Sequence, residues 1–435
     1  MTGSSQNLWP SFPANLRSLE KTDLRLGIIR LTDCAPIVIA KERGFFSRHG
    51  LQVSISVEPS WSNIRDKVAT GLLDGAQMLA TLPLAATLGL HGPRVPMVTA
   101  LSLDLNGNAI TISKDLYRRL AEAGPLENGG LAAGKALKEL IERDKAAGKP
   151  PLCFASVFPS STHELELRYW LAAAGIHPDK DVRLLVVPPP EMVRALGDGR
   201  IDGFCVGEPW NEMAAYLDLG RVILTKYELW NNSPEKVFGV RADWASTYPR
   251  THRALLAALL EAAQWLDKPE NRLEAVHVLA GESYVNAPTE VLSMSMTGSF
   301  RYAKDEAPRL LPDFNVFYRY GATFPWRSHA LWFLSQMARW GRLPEPIGLA
   351  RVAEEVYRTD LYREVAAGLG IPVPDGDYKT EGTHDRRWAI EGSTGRLAMG
   401  PDLFFDGLSF DPANLRGYLD QSPISEPAFD LKRLG

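Results

Sequence analysis

Residues 24–31 read LRLGIIRL and residues 51–57 read LQVSISV. The first is an apolar run of strand length. The second alternates apolar and polar side chains with the period of two that a half-buried strand has. Between them lies an Asp33-Cys34-Ala35-Pro36 turn, and residues 37–46 then carry apolar side chains at helical spacing, ending near Gly44. Beyond them, Ser60-Trp61-Ser62 is a loop suited to cap a helix over residues 63–71, and residues 74–78 read as a short apolar entry to another helix. Strand, helix, strand, helix is the pattern of an α/β layered domain with a largely parallel sheet.

The pattern repeats further along. Strand candidates at 95–101 and 109–113 flank Asn106-Gly107, and residues 116–149 are helical in composition up to Lys149-Pro150-Pro151. A strand at 152–157, a loop to Thr162 and a helix over 163–174, closed by Gly175, follow. A strand at 181–187, a rigid Pro188-Pro189-Pro190 exit, a helix at 191–198 and a buried strand at 203–206 complete a second α/β unit. Residues 237–240 look like a strand returning to the first unit. Amphipathic helices are expected at 251–266, 271–279, 328–340 and 347–365. From Gly368 onward Pro, Gly and Asp dominate, which predicts an irregular tail lying over the body.

Composition sets the bounds. A chain of 435 residues is too long for one hydrophobic core. Its 45% hydrophobic and 23% charged residues are ordinary for a globular protein, and no stretch reaches the roughly 18–20 apolar residues of a membrane helix. A net charge of −4 argues against broad binding to a nucleic-acid backbone. Cys34, Cys153 and Cys205 are odd in number and far apart. They form neither a disulfide framework nor a spaced zinc site, and they read as small core fillers in a reducing compartment. No Gly-rich phosphate loop, spaced metal set or Ser-His-Asp arrangement points to an enzyme, a metal or a cofactor. Residues 1–23 contain no basic n-region, no long apolar core, no lipobox cysteine and no twin arginine. They read as a non-signal extension, which predicts a cytoplasmic location.

Several strings then carry a resemblance. They include Ala40-Lys41-Glu42-Arg43-Gly44-Phe45-Phe46, Pro59-Ser60-Trp61, Ser161-Thr162-His163-Glu164-Leu165 and Arg168-Tyr169-Trp170-Leu171-Ala172. Others are Val187-Pro188-Pro189-Pro190-Glu191-Met192-Val193, Gly207-Glu208-Pro209-Trp210-Asn211 and Pro234-Glu235-Lys236-Val237-Phe238. Over residues 24–342 their spacing resembles the nitrate/bicarbonate-binding family of ABC-transporter solute receptors. The resemblance implies a type II periplasmic-binding-protein fold, α/β, with two discontinuous lobes. The expected division is a first lobe at 24–110, a second at 111–236, a return to the first at 237–367 with added helices, and a C-terminal extension at 368–435. Hinges are expected near residues 110–113 and 236–241. Members of this family without an export signal are cytoplasmic nitrate/nitrite sensors of the NasS type. Their partner is an RNA-binding antiterminator with an ANTAR domain, which the ligand releases. The sensor role is therefore the first expectation, and an ordinary ABC-transporter receptor for nitrate, bicarbonate or a related anion is the alternative.

The same resemblance names the contacts of a nitrate or nitrite ion. His163 sits at the start of a helix, where backbone N–H groups favour an anion. Lys236 takes the place of the lysine that meets nitrate in the nitrate-binding relatives; the bicarbonate-binding relatives have an acidic residue there that helps hold calcium. Trp61 offers an indole N–H. Asn108 stands where the nitrate receptors tend to have glutamine, one methylene longer, and Gln77 is a weaker amide candidate. Glu208 is read as a structural or hinge residue, because a free carboxylate repels nitrate. The site is expected to hold donors with no carboxylate nearby.

Overall fold

A computed structural model of the chain describes residues 18–122 and 130–433. Most of the N-terminal extension, residues 1–17, lies outside the described residues, as does part of the long helical segment expected at 116–149.

Two five-stranded mixed sheets organise the chain. In the first, β1 (Asp23–Ile28) pairs in parallel with β2 (Gln52–Val57) and with β3 (Gly75–Leu79), and β10 (Lys236–Arg241) runs antiparallel between β3 and β4 (Met97–Ser102). The order is β2-β1-β3-β10-β4. The second sheet has the order β9-β5-β8-β6-β7, built from β5 (Asn108–Ser113), β6 (Cys153–Ser156), β7 (Arg183–Val186), β8 (Gly203–Gly207) and β9 (Gly220–Thr225). Here β6 is parallel to β7 and β8, and β5 is antiparallel to β8 and β9. This is the type II periplasmic-binding-protein arrangement, with two mixed α/β sheets as lobes.

One expectation fails inside the first sheet. Residues 74–78 do not enter a helix; Gly75–Leu79 is a central strand buried along its whole length. A strand covered on both faces shows no alternation, so a run such as GAQML is indistinguishable from a buried helix turn by periodicity. Strand β9 was not anticipated either.

The chain crosses between the sheets earlier than the expected hinges. Asn108–Ser113 already pairs in the second sheet and Lys236 already pairs with Leu79 in the first. The crossings are residues 103–107 and 230–235, and they run bonded to each other. Leu103 N donates to Lys236 O at 2.9 Å, Asn106 N to Ser233 O at 2.9 Å, and Ser233 N to Asn106 Oδ1 at 3.1 Å. Asn106 and Gly107 take φ of 64° and 76°, values that asparagine and glycine accept more readily than other residues. That tight turn delivers Asn108 to the start of β5.

Helices cover both sheets. Helix α1 (Ala35–Glu42) packs against α4 (Pro249–Leu266), with Ile37, Ile39, Leu255 and Leu259 in one core. Helix α3 (Thr162–Ala173) belongs to the second core with Phe154, Phe204 and Trp170, which extends to α5 (Arg327–Arg339) through Trp332. The three cysteines are free and buried. Beyond residue 368 the chain is largely irregular and lies over the body. Phe405 N donates to Leu229 O, Asn231 N to Leu403 O, and Asn232 Nδ2 to Pro401 O, each at 2.9 Å. The tail thus bonds directly to the second crossing. Among the described residues no helix is long and apolar enough to cross a membrane.

Candidate functional site

The carboxyl ends of parallel strands are where α/β sheets place their ligands, and both sheets turn those edges toward each other. From the first sheet, the turn after β1 supplies Asp33. Helix α2 (Trp61–Ala69), capped by Ser60 Oγ accepting from Asn63 N at 3.3 Å, presents Trp61 as its first residue. Strand β10 supplies Lys236 at its first position. From the second sheet, β5 supplies Asn108. Helix α3, capped by Ser161 Oγ accepting from Glu164 N at 3.0 Å, presents Thr162, His163 and, one turn on, Glu166. A single turn after β9, closed by a capping box between Thr225 and Glu228, presents Lys226. The second crossing contributes Glu235.

The four residues expected from the sequence, Trp61, Asn108, His163 and Lys236, come together and are buried. Three of them, Asn108, His163 and Lys236, converge on one carboxylate. Glu235 Oε1 lies 3.1 Å from His163 Nε2, accepts from Thr162 Oγ1 at 2.9 Å and meets the Lys236 ammonium. Glu235 Oε2 accepts from Asn108 Nδ2 at 2.8 Å and meets the Lys226 ammonium. Lys236 Nζ also lies 2.9 Å from Asp33 Oδ2, and Lys226 Nζ 2.6 Å from Glu166 Oε1. The ammonium of Lys236 stands 5.6 Å from the centre of the Trp61 ring. Trp61 Nε1 is buried with no hydrogen-bond partner among the described residues.

Gln77 belongs to the wall. Its Oε1 accepts from Ile29 N at 2.7 Å and its amide group donates to Asp33, which commits both ends. Glu208 is fully buried beside the crossings, where its backbone N–H donates to Gly107 O and its carbonyl accepts from Thr32 N. Burial pushes its carboxyl up to about 8, and its Oε2 accepts from Glu212 N at 3.1 Å.

The expectation of a site free of carboxylates is overturned. Asp33, Asp104, Glu166 and Glu235 all surround the two ammonium groups. Two of them had a legible signal. Glu235 is the chain neighbour of Lys236, and Glu166 follows His163 by three residues, which places them on the same helix face. The other two, Asp33 and Asp104, and the lysine Lys226 are brought in only by the sheet arrangement.

Burial and charge divide the titrations. Burial holds His163 neutral, with its pKa down at about 3. Burial opposes ionisation of Glu235, but His163 and the Lys226 and Lys236 ammonium groups outweigh it and hold that carboxyl well below the usual range. The carboxylates in turn overcome burial and raise both lysines. Burial lifts Glu166 to about 7, and burial with the neighbouring Asp33 lifts Asp104 far above its ordinary value. The centre is therefore a sealed array of donors, two of them cationic, closing on a planar O–C–O group. Such an array suits a small oxyanion, because charge-assisted hydrogen bonds are the strong ones.

The fold and this cleft define a two-lobed solute-binding protein. Residues 17–280 match the model of the NMT1-like family. The chain is 43% identical over 93% of its length to the nitrate import ATP-binding protein NrtC of a Synechocystis strain, of which it spans 56%. It is 35% identical over 95% of its length, and 88% of the relative, to the nitrate/nitrite binding protein NrtA of a Nostoc strain. The crystal structure of the periplasmic nitrate-binding protein NrtA from Synechocystis superposes with a TM-score of 0.82, at 32% identity, over 93% of this chain and all of that one. The chain belongs to the NMT1-like family and, within it, to the nitrate/bicarbonate solute-binding proteins of ABC transporters, which are not enzymes.

Proposed function

We propose that this protein is a receptor for a small planar oxyanion, nitrate or nitrite, of the kind that serves an ABC transporter. One observation carries the reading: donors from both lobes, Lys236 of the first and Thr162 of the second, meet at a single oxyanion oxygen, with His163 Nε2 3.1 Å away. A ligand held at that point joins the lobes, so closure and binding are one event. The burial of every donor means that the anion enters with the lobes apart. Lys236, rather than an acidic residue, favours nitrate or nitrite over bicarbonate, and the likeness to nitrate-binding relatives supports the same choice. Titration calorimetry with nitrate, nitrite, bicarbonate and chloride tests it. Heat from nitrate or nitrite and none from chloride is the expected result; binding of bicarbonate alone refutes it.

A second reading keeps the same ligand and changes its use: a cytoplasmic sensor that holds an ANTAR-type antiterminator until nitrate arrives. Capture of a partner from lysate that leaves on addition of nitrate favours the sensor. An unchanged set of partners favours the transport receptor. Cell fractionation gives the compartment.

A further inference from the structure

The group at the centre of the donor array is part of the chain. We infer that the Glu235 carboxylate is a built-in competitor that occupies the oxyanion seat, and that nitrate or nitrite binds by displacing it; the inference rests on the receptor reading above. Three observations carry it. First, the match of shape is close. A carboxylate is a planar three-atom O–C–O group, the geometry of nitrite and of two oxygens of nitrate. Glu235 uses both oxygens, one toward His163, Thr162 and Lys236, the other toward Asn108 and Lys226.

Second, Glu235 is placed to move. It lies in the crossing at residues 230–235, the segment that must bend if the lobes part, and not within either sheet. It is also contacted from both sides, by Lys236 on the first sheet and by Lys226, Asn108 and α3 on the second. Separation of the lobes strips it of partners on one side.

Third, the array has a donor that the carboxylate does not satisfy. Trp61 Nε1 is buried without a partner, and His163 Nε2, although 3.1 Å from Glu235 Oε1, makes no hydrogen bond among the described residues. A carboxylate has two oxygens and nitrate has three. The third oxygen accounts for the spare donor, and it gives the free anion a contact that the tethered one lacks. The charge balance points the same way. Both ammonium groups, Lys226 and Lys236, already face the Glu235 carboxylate, so an added anion meets charges that are already answered unless that carboxylate withdraws.

The experiment is nitrate titration of the full chain as wild type, Glu235→Ala and Glu235→Gln, with thermal melts in nitrate and in sodium formate. Removal of the competitor is expected to tighten nitrate binding at least tenfold in Glu235→Ala, and by less in Glu235→Gln, which removes the charge and keeps the bulk. Formate, a free carboxylate of the same geometry, is expected to raise the melting temperature of Glu235→Ala more than that of the wild type. Should Glu235→Ala fail to fold, the Glu235→Gln titration decides alone. Nitrate affinity equal to or below that of the wild type in every folded variant overturns the inference and leaves the receptor reading intact. Silence of the wild type and of both variants toward nitrate and nitrite overturns the receptor reading itself.

Discussion

The molecule contains two buried clusters of nearly the same composition. At the junction of the lobes, His163 Nε2 lies 3.1 Å from a Glu235 oxygen that also meets Lys236, whose ammonium stands 5.6 Å from the Trp61 ring. Beneath the C-terminal tail, His329 Nε2 lies 3.1 Å from a Glu381 oxygen that also meets Lys379, whose ammonium stands 5.7 Å from the Trp326 ring. In both, the indole nitrogen is buried without a partner. The clusters differ in what they join. The first draws on the carboxyl edges of both sheets, and its carboxylate has further donors in Thr162, Asn108 and Lys226. The second draws on α5, the residue before it and the tail, and the cavity at its side has about 10 Å³, room for one water molecule. Composition therefore does not make a ligand site. On the proposed reading, position between two bodies that can separate does.

The largest effect expected is at Lys236. Lys236→Glu sets a second carboxylate against the anion and should abolish nitrate binding in calorimetry. Lys236→Ala should weaken it roughly ten- to hundredfold, from the loss of about 1.5–3 kcal/mol in a charged hydrogen bond. Lys379→Ala should change affinity less than twofold. Its cost is in stability, about 3–5 kcal/mol in denaturant unfolding, because it leaves Glu381 buried and unpaired. A folded Lys379→Ala protein that no longer binds nitrate breaks the comparison.

The histidines come next. His163→Ala should weaken nitrate binding about tenfold, since it removes one donor to an anion, whereas His329→Ala should leave binding unchanged. Equal losses from both would mean that the tail cluster acts on the cleft.

Acid sharpens the comparison further. Burial holds His163 down at about 3 and His329 down at about 4, both below the unfolded value near 6.5. Between those limits these two histidines bind more protons in the unfolded chain than in the folded one, so their contribution to stability rises with pH and is lost as pH falls from about 6.5 toward 4. Glu235 and Glu381 are also held below their ordinary range, and they add loss of the same sign at lower pH. Glu166, Glu208 and Asp104, raised above their ordinary range, act with the opposite sign, so the histidine contribution is read as a difference: His329→Gln should lose less melting temperature on acidification than the wild type does. An unaltered slope in His329→Gln would show that His329 already exchanges protons with solvent.

Much of the frame was legible. LQVSISV announced β2 by its alternation, and the GFCV run announced β8 by its apolar residues. The misread strand β3 has a plain cause. Gly75–Leu79 is enclosed on both faces, so its sequence carries no period, and it looked like the start of a helix. In the cleft, His163, Lys236, Trp61 and Asn108 could be named because motifs carried them. The carboxylates could not, because an anion site was assumed to exclude them. Buried lysines require counter-charges, so a sequence that hides Lys226 and Lys236 must also hide acids beside them. Glu235, the immediate neighbour of Lys236, was the one to suspect.

The smallest effect separates the two indoles. Trp61→Phe keeps a ring beside the Lys236 ammonium and removes only the N–H that lacks a partner in the sealed cleft. Because that donor contributes nothing to the cluster without ligand, its loss should barely move the melting temperature. With nitrate bound it should cost one hydrogen bond, about 0.5–1.5 kcal/mol, or some two- to tenfold in affinity. Trp326→Phe removes the matching donor under the tail and should affect neither quantity measurably. The informative number is the ratio of the two losses in affinity. A ratio near one would assign both unpaired indoles to packing, and the third oxygen of nitrate would then need another donor. A ratio of three or more would assign Trp61 to the ligand and leave Trp326 as the internal control, set beside a similar lysine, glutamate and histidine but away from the seam between the lobes.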